Sequence, residues 1–106
     1  MTNVANLLQG LPAADGDEAF TELLSRPGVR LERIVSHGQA TPEDAPMVEA
    51  HDEWVLQLAG AAGLRIGDAE VALAPGDHLL IPAGRAHWVT WTARDAPTVW
   101  LALHLG

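Results

Sequence analysis

The sequence predicts an all-β domain, and two kinds of local pattern support that prediction. From residue 29 onward, short runs alternate apolar and polar residues, as half-buried strands do. Turn sequences separate these runs, among them Gly67-Asp68, a two-residue hairpin pattern, and Pro75-Gly76, a type II turn pattern. Several short strands at close spacing are typical of a β-sandwich or barrel.

One short helix is predicted ahead of the strands. Asp15 or Asp17 can cap it, and Pro27-Gly28 would end it. Three apolar residues would fall on one face of this helix: Phe20, Leu23 and Leu24. We therefore divide the chain into an N-terminal arm with a short helix, residues 1–28, and a β-barrel, residues 29–106.

The predicted strands then follow in order. The first begins at Val29, where the alternation starts, and a polar stretch from 36 to 52 with two prolines is predicted to be a loop. The remaining strands are predicted at 54–59, 64–66, 69–73, 78–81, 87–92 and 98–105.

Composition limits the classes of function. The chain has 106 residues, 48% of them hydrophobic, and a formal charge of −8, which fits one domain with a negative surface. Such a surface disfavours nucleic acid and anionic membranes, so we expect a small-molecule ligand or another protein as partner. The absence of cysteine excludes thiolate nucleophiles and thiolate metal sites. Residues 1–12 lack the layout of a secretory signal, and we expect a cytoplasmic location.

The segment from residue 76 to residue 87 contains a specific motif. Gly76, five residues, Pro82-x-Gly84, two residues and His87 match every fixed position of the second signature motif of the cupin superfamily, which this sequence resembles. Trp91 stands where that family usually has an asparagine.

The first cupin motif is matched only in part. Glu53 and Gly60 occupy the positions of its glutamate and glycine, but its two histidines would fall on non-histidine residues. Glu49 can still supply an oxygen, and His51 lies on the same face of an extended chain as Glu49 and Glu53. The resemblance implies a small double-stranded β-helix, or jelly-roll barrel, that is often a dimer and holds a metal or ligand in its mouth.

The resemblance and the residue types together predict a site. We expect a divalent metal (Fe, Mn, Ni or Zn), because imidazole and carboxylate suit these ions. The predicted metal ligands are His87, Glu53, and Glu49 or His51. The predicted pocket-lining residues are Trp91, Val89, Gln57, His37 and His104. Trp91 would point inward beside His87, because residues four apart on a strand share a face.

Three functions remain open from the sequence. The first is a metal-dependent enzyme of the oxygenase or isomerase type acting on a small molecule. The second is a non-catalytic module that binds or senses a small ligand, and the third is an interaction module with a filled barrel. We also expect a homodimer, because residues 54–58 are apolar on both faces and a small barrel cannot bury both.

Overall fold

The computed structural model describes residues 2–106, and it is all-β. Alternation of inward and outward side chains accounts for most strands, since inward positions such as Val55 and Leu64 are buried. The eight strands are β1 Ala19–Arg26, β2 Val29–Ser36, β3 Asp52–Ala59, β4 Ala62–Ile66, β5 Ala69–Leu73, β6 His78–Ile81, β7 His87–Thr92 and β8 Thr98–Leu105. No helix among residues 2–106 is long and apolar enough to cross a membrane.

The strands form two facing sheets. One has five strands in the order β1-β2-β8-β3-β6, and the other has three in the order β5-β4-β7. All pairings between the strands are antiparallel. A buried apolar cluster joins the sheets, with members on β3, β4, β5, β6 and β8.

The predicted N-terminal helix is wrong, because residues 19–26 form strand β1. Pro27-Gly28 does not end a helix but closes a two-residue hairpin, in which Arg26 pairs with Val29 and Gly28 takes a φ of 76°. Phe20 and Leu24 are 61% and 40% exposed, so β1 is an edge strand with little burial to mark its period. Its irregular pairing near Glu22 further disturbs the alternation.

The strands and turns predicted after residue 28 are confirmed to within two residues at each end. Gly67-Asp68 closes the β4–β5 hairpin, since Ile66 pairs with Ala69. At the next turn the Asp77 amide donates to the Ala74 carbonyl at 2.9 Å, and Gly76 has a φ of 95°, as a type II turn requires.

Candidate functional site

The two sheets enclose a cavity that opens between β1 and the loop at residues 37–51. Its walls are mostly apolar, formed by Ile34, Val55, Leu64, Ile81, Val89 and Trp100. Phe20, Met47 and Glu18 also line it, and two polar side chains, Glu53 and His87, complete the lining. A mostly apolar lining with two polar groups suits a small organic molecule.

His87 is the more deeply buried of these two polar residues, at 1% exposure. It is the first residue of β7. Its backbone makes two hydrogen bonds with the backbone of Met47, each 2.9 Å long. Its Nδ1 donates to the Arg85 carbonyl at 3.1 Å, because a carbonyl can only accept. In the neutral ring Nε2 therefore carries a lone pair. This nitrogen lies 3.9 Å from Oε1 of Glu53.

Glu53 lies on β3 between β6 and β8, and it is 8% exposed. Burial raises the pKa of the Glu53 carboxyl above its ordinary value, because desolvation disfavours the charged form. His104 and His87 act in the opposite direction, while the neighbouring carboxylates of Glu49 and Glu32 add to the rise. Carboxyl groups with raised pKa values in a cavity are candidates for proton exchange.

A second polar network lies beside Glu53 on the same sheet. His104 pairs in register with Glu53, and its Nε2 donates to Oε1 of Glu32 at 2.9 Å. The Nδ1 of His104 is 3.0 Å from Nε2 of His51, and Arg30 donates to the second oxygen of Glu32 at 2.9 Å. Both nitrogens of His104 are therefore occupied, and this histidine is held as part of the wall.

The structure separates the four predicted metal ligands into two groups. His87 and Glu53 line the cavity, whereas Glu49 and His51 do not. His51 instead contacts His104 and lies 3.8 Å from a Glu49 oxygen. Among residues 2–106 no three or more histidine and acidic side chains are grouped closely enough to hold a metal ion. Two donors fit a metal, but a catalytic centre usually needs three protein ligands, so the set is incomplete as it stands.

The predicted inward placement of Trp91 is wrong. The pairing of β4 with β7 shifts by one residue between Gly63 and Leu64, opposite Thr90. This bulge turns Trp91 to the outer face, where it is 44% exposed and lies over Gly63. The cavity is therefore not narrowed by an indole next to His87.

Three other predicted lining residues also lie outside the cavity, while Val89 lines it as expected. Gln57 is fully buried and donates to the Gly60 carbonyl at 2.8 Å, so it packs in the core. His37 donates to the Pro12 carbonyl at 3.2 Å and holds the N-terminal segment. His104 belongs to the network with Glu32 described above.

Two acidic residues were missed by the sequence analysis. Glu32 is 8% exposed although it is charged, and the alternation of β2 places it on the inward face with Ile34. Glu18 lines the cavity and accepts a hydrogen bond from Ser36, which in turn accepts one from the Trp100 indole at 3.2 Å. Glu32 could have been recognised from its strand position, but Glu18 lies at the start of the segment that was assigned to a helix.

A two-sheet β-barrel with an acid and a histidine facing its interior defines the class of small cupin barrels. The chain belongs to the Cupin_2 family, whose cupin-domain model matches residues 32–104.

Solved structures agree with this assignment. A candidate mannose-6-phosphate isomerase from Ralstonia eutropha is 42% identical, with a TM-score of 0.93 and 98% of each chain covered. A cupin superfamily protein from Desulfitobacterium hafniense has the same fold at 20% identity, with a TM-score of 0.74 and coverage of 90% of this chain and 83% of that one.

A curated enzyme matches part of the chain. Rat 3-hydroxyanthranilate 3,4-dioxygenase is 40% identical over 52 residues, which are 49% of this chain. The match spans only 18% of the length of that enzyme.

Proposed function

We propose that this barrel binds a small, mostly apolar molecule that carries one hydrogen-bond donor, such as a hydroxyl group. The observation behind this proposal is the pair of facing acceptors, the Glu53 carboxylate and the His87 Nε2 lone pair, at 3.9 Å in an otherwise apolar cavity. While Glu53 is ionised and His87 is neutral, both facing atoms are acceptors and cannot bond to each other, so a donor or a cation between them would be favourable.

The same pair can move a proton. A hydroxyl placed between the two groups can donate a hydrogen bond to the Glu53 carboxylate, whose raised pKa makes it a stronger base than an exposed carboxylate. Isomerisation next to a carbonyl needs a base that takes a proton from one carbon, which leaves an enolate, and returns it to the neighbouring carbon. The Glu53 carboxylate is the candidate for this base, in line with the isomerase class of the Ralstonia relative. If no proton is exchanged, the barrel is a binding or sensing module.

A sugar phosphate is a poor match for the cavity. A phosphate group needs cationic or backbone N–H donors, yet no arginine is among the lining residues, and Glu18 and Glu53 would repel it. We therefore propose a neutral ligand and do not extend the substrate of the Ralstonia relative to this chain.

Two probes that differ by one hydroxyl test this proposal. Benzene reports the apolar cavity alone, and phenol adds a donor of the proposed kind. We expect the wild type to bind phenol about tenfold or more tightly than benzene, since a hydrogen bond to a charged group is worth about 1.5–3 kcal/mol. Glu53→Met should remove this preference, while Val89→Phe, which fills the cavity, should weaken both probes. Equal affinities in the wild type would refute the proposal.

A divalent metal at the same pair is the second candidate function, favoured by the free Nε2 of His87 beside Glu53. His87 and Glu53 would hold it, and Glu49 or His51, which do not line the cavity, would have to move to complete the predicted set. A bound Fe, Mn, Ni or Zn ion would act as a Lewis acid toward a ligand oxygen. Elemental analysis would then find about one metal per chain in the wild type and in His78→Ala, an exposed control. Equal content in wild type and His87→Ala would exclude this site.

A homodimer and a cytoplasmic location also remain proposals. Trp54 on the outer face of the five-stranded sheet pairs in register with Leu80 and Leu103, and Leu80 is 48% exposed. Such a face is a candidate contact between copies. Leu80→Asp should shift light-scattering mass from dimer to monomer, whereas Val71→Asp on the other sheet should not. A monomeric wild type at tens of micromolar would contradict the dimer.

A further inference from the structure

The loop at residues 37–51 brings a sulfur-containing side chain to the barrel cavity. Met47 in this loop forms an antiparallel bridge with His87, in which each backbone amide donates to the carbonyl of the other residue at 2.9 Å. Directly opposed residues of such a pair have Cβ atoms about 4.5–5.5 Å apart, and their side chains lie on the same face. Both side chains do line the cavity. Met47 is therefore held beside His87 by backbone contacts that do not depend on its own side chain.

Three different donor groups consequently line one cavity. His87 offers the lone pair of Nε2, Glu53 has a carboxylate oxygen 3.9 Å from that nitrogen, and Met47 has a thioether sulfur. His87 and Glu53 are 1% and 8% exposed, whereas Met47 is 36% exposed, so the set is open to solvent on the side of Met47. A methionine side chain has three rotatable bonds and adapts to what it contacts. Unlike Glu49 and His51, Met47 already lines the cavity that holds the pair.

A thioether changes which metal such a set prefers. Zinc sites in proteins are built from thiolate, imidazole and carboxylate ligands, whereas the soft thioether of methionine suits Cu(I), and imidazole suits copper as well. We propose that Met47 is the third protein ligand of a metal at the His87–Glu53 pair and that the site prefers Cu(I) to Zn(II). This inference rests on the second candidate function, a metal at that pair.

Paired titrations with Cu(I) and Zn(II) test the proposal on the full chain, with Cu(I) kept reduced and delivered from a competing chelator. We expect the wild type to bind Cu(I) more tightly than Zn(II). Met47→Leu keeps an apolar side chain of similar volume. It should weaken Cu(I) binding about tenfold or more, since loss of even an outer contact of a metal site costs about 10–100-fold in affinity. Its Zn(II) affinity should not change, because His87 and Glu53 remain.

Two further variants separate ligation from packing. Val48→Leu alters the exposed neighbour of Met47 in the same loop, and both affinities should stay as in the wild type. Met47→His replaces the thioether with an imidazole, which completes a set of nitrogen and oxygen ligands typical of zinc. We expect this variant to bind Zn(II) more tightly than the wild type and to lose most of the preference for Cu(I).

The sulfur contact can also be observed directly. The chain has two methionines, so carbon-13 labelling of their methyl groups gives two NMR signals, and Met47→Leu identifies the signal of Met47. Because Cu(I) is diamagnetic, the signals stay visible when the ion binds. We expect Cu(I) to shift the Met47 signal in the wild type and not in His87→Ala.

The outcomes distinguish this proposal from the candidate function on which it rests. A wild type that binds neither ion would refute the metal site and the role of Met47 with it. Zn(II) bound as tightly as Cu(I), or Cu(I) affinity unchanged in Met47→Leu, would overturn the role of Met47 and leave a metal at the His87–Glu53 pair standing. Equal losses of Cu(I) and Zn(II) affinity in Met47→Leu would show that Met47 acts through packing, which also overturns the proposal.

Discussion

Two buried histidines flank Glu53, and they differ in what their ring nitrogens contact. His104 is 7% exposed and has both nitrogens occupied, by Glu32 and His51. His87 is 1% exposed, but only its Nδ1 is bonded, to a backbone carbonyl, and its Nε2 faces the cavity. Burial alone therefore does not distinguish a histidine whose nitrogens are both bonded within the wall from one that is open to a ligand. The nitrogen without a partner does.

The largest expected effect is on stability when His104 is replaced. His104→Leu leaves the buried Glu32 carboxylate with Arg30 alone, and removing one member of a buried pair typically costs about 3–5 kcal/mol. Because Arg30 remains, we expect the free energy of unfolding, measured in urea, to fall by about 3 kcal/mol.

His87→Leu is the matched comparison. It removes one hydrogen bond to the carbonyl of the exposed Arg85, and Glu53, whose oxygen lies 3.9 Å from His87 Nε2, loses a neighbour but no hydrogen bond. We therefore expect the free energy of unfolding to fall by about 1 kcal/mol. Equal losses in the two variants would break the distinction between these histidines.

The pH dependence of stability gives a second, smaller contrast. The pKa of Glu53 is raised in the folded chain. Between the ordinary pKa of 4.5 and that raised pKa, the folded state therefore binds more protons than the unfolded state. Unfolding free energy must then fall as pH rises through this window. Glu53→Gln cannot titrate and lacks this contribution.

We therefore expect the stability of the wild type relative to Glu53→Gln to decline as pH rises above about 4.5 and to level off once Glu53 is ionised. Urea unfolding of both proteins at a series of pH values measures it. A relative stability that rises with pH would mean that the carboxylate is stabilised at this site and would contradict its desolvation.

The smallest effect concerns Trp91, which lies on the opposite face from His87. Trp91→Ala should cost about 1 kcal/mol, since a 44% exposed ring buries only part of its surface. It should also leave benzene binding in the barrel unchanged. A loss above about 3 kcal/mol together with altered benzene binding would restore the inward placement that the sequence predicted.

Much of the fold was predictable from local patterns. Strands from Val29 onward alternate regularly between apolar and polar residues. Turns such as Pro75-Gly76 follow from local conformational preference, since proline and glycine favour the φ angles of a type II turn. Strand β1 was not predictable in the same way, because it is an edge strand whose Phe20 and Leu24 remain exposed, so its apolar spacing fitted a helix equally well.

The candidate site was predicted only in part. The motif spacing singled out His87, which lines the cavity together with Glu53 and Val89. The role of His87 and Glu53 as metal ligands stays a prediction. The orientation of Trp91 depends on a bulge at Thr90, which shifts the alternation by one residue. No sequence pattern predicted this bulge. The engagement of His104 by Glu32 depends on pairing between strands far apart in the chain.

The central claim is that His87 offers a free nitrogen to a ligand while His104 does not. Nitrogen NMR of the histidine rings tests it directly, with phenol as the probe. We expect His87 to carry its proton on Nδ1 and its unprotonated Nε2 signal to shift as phenol is added, while the His104 signals stay in place. A His87 ring protonated on Nε2, or phenol shifts at His104 as large as those at His87, would contradict the account.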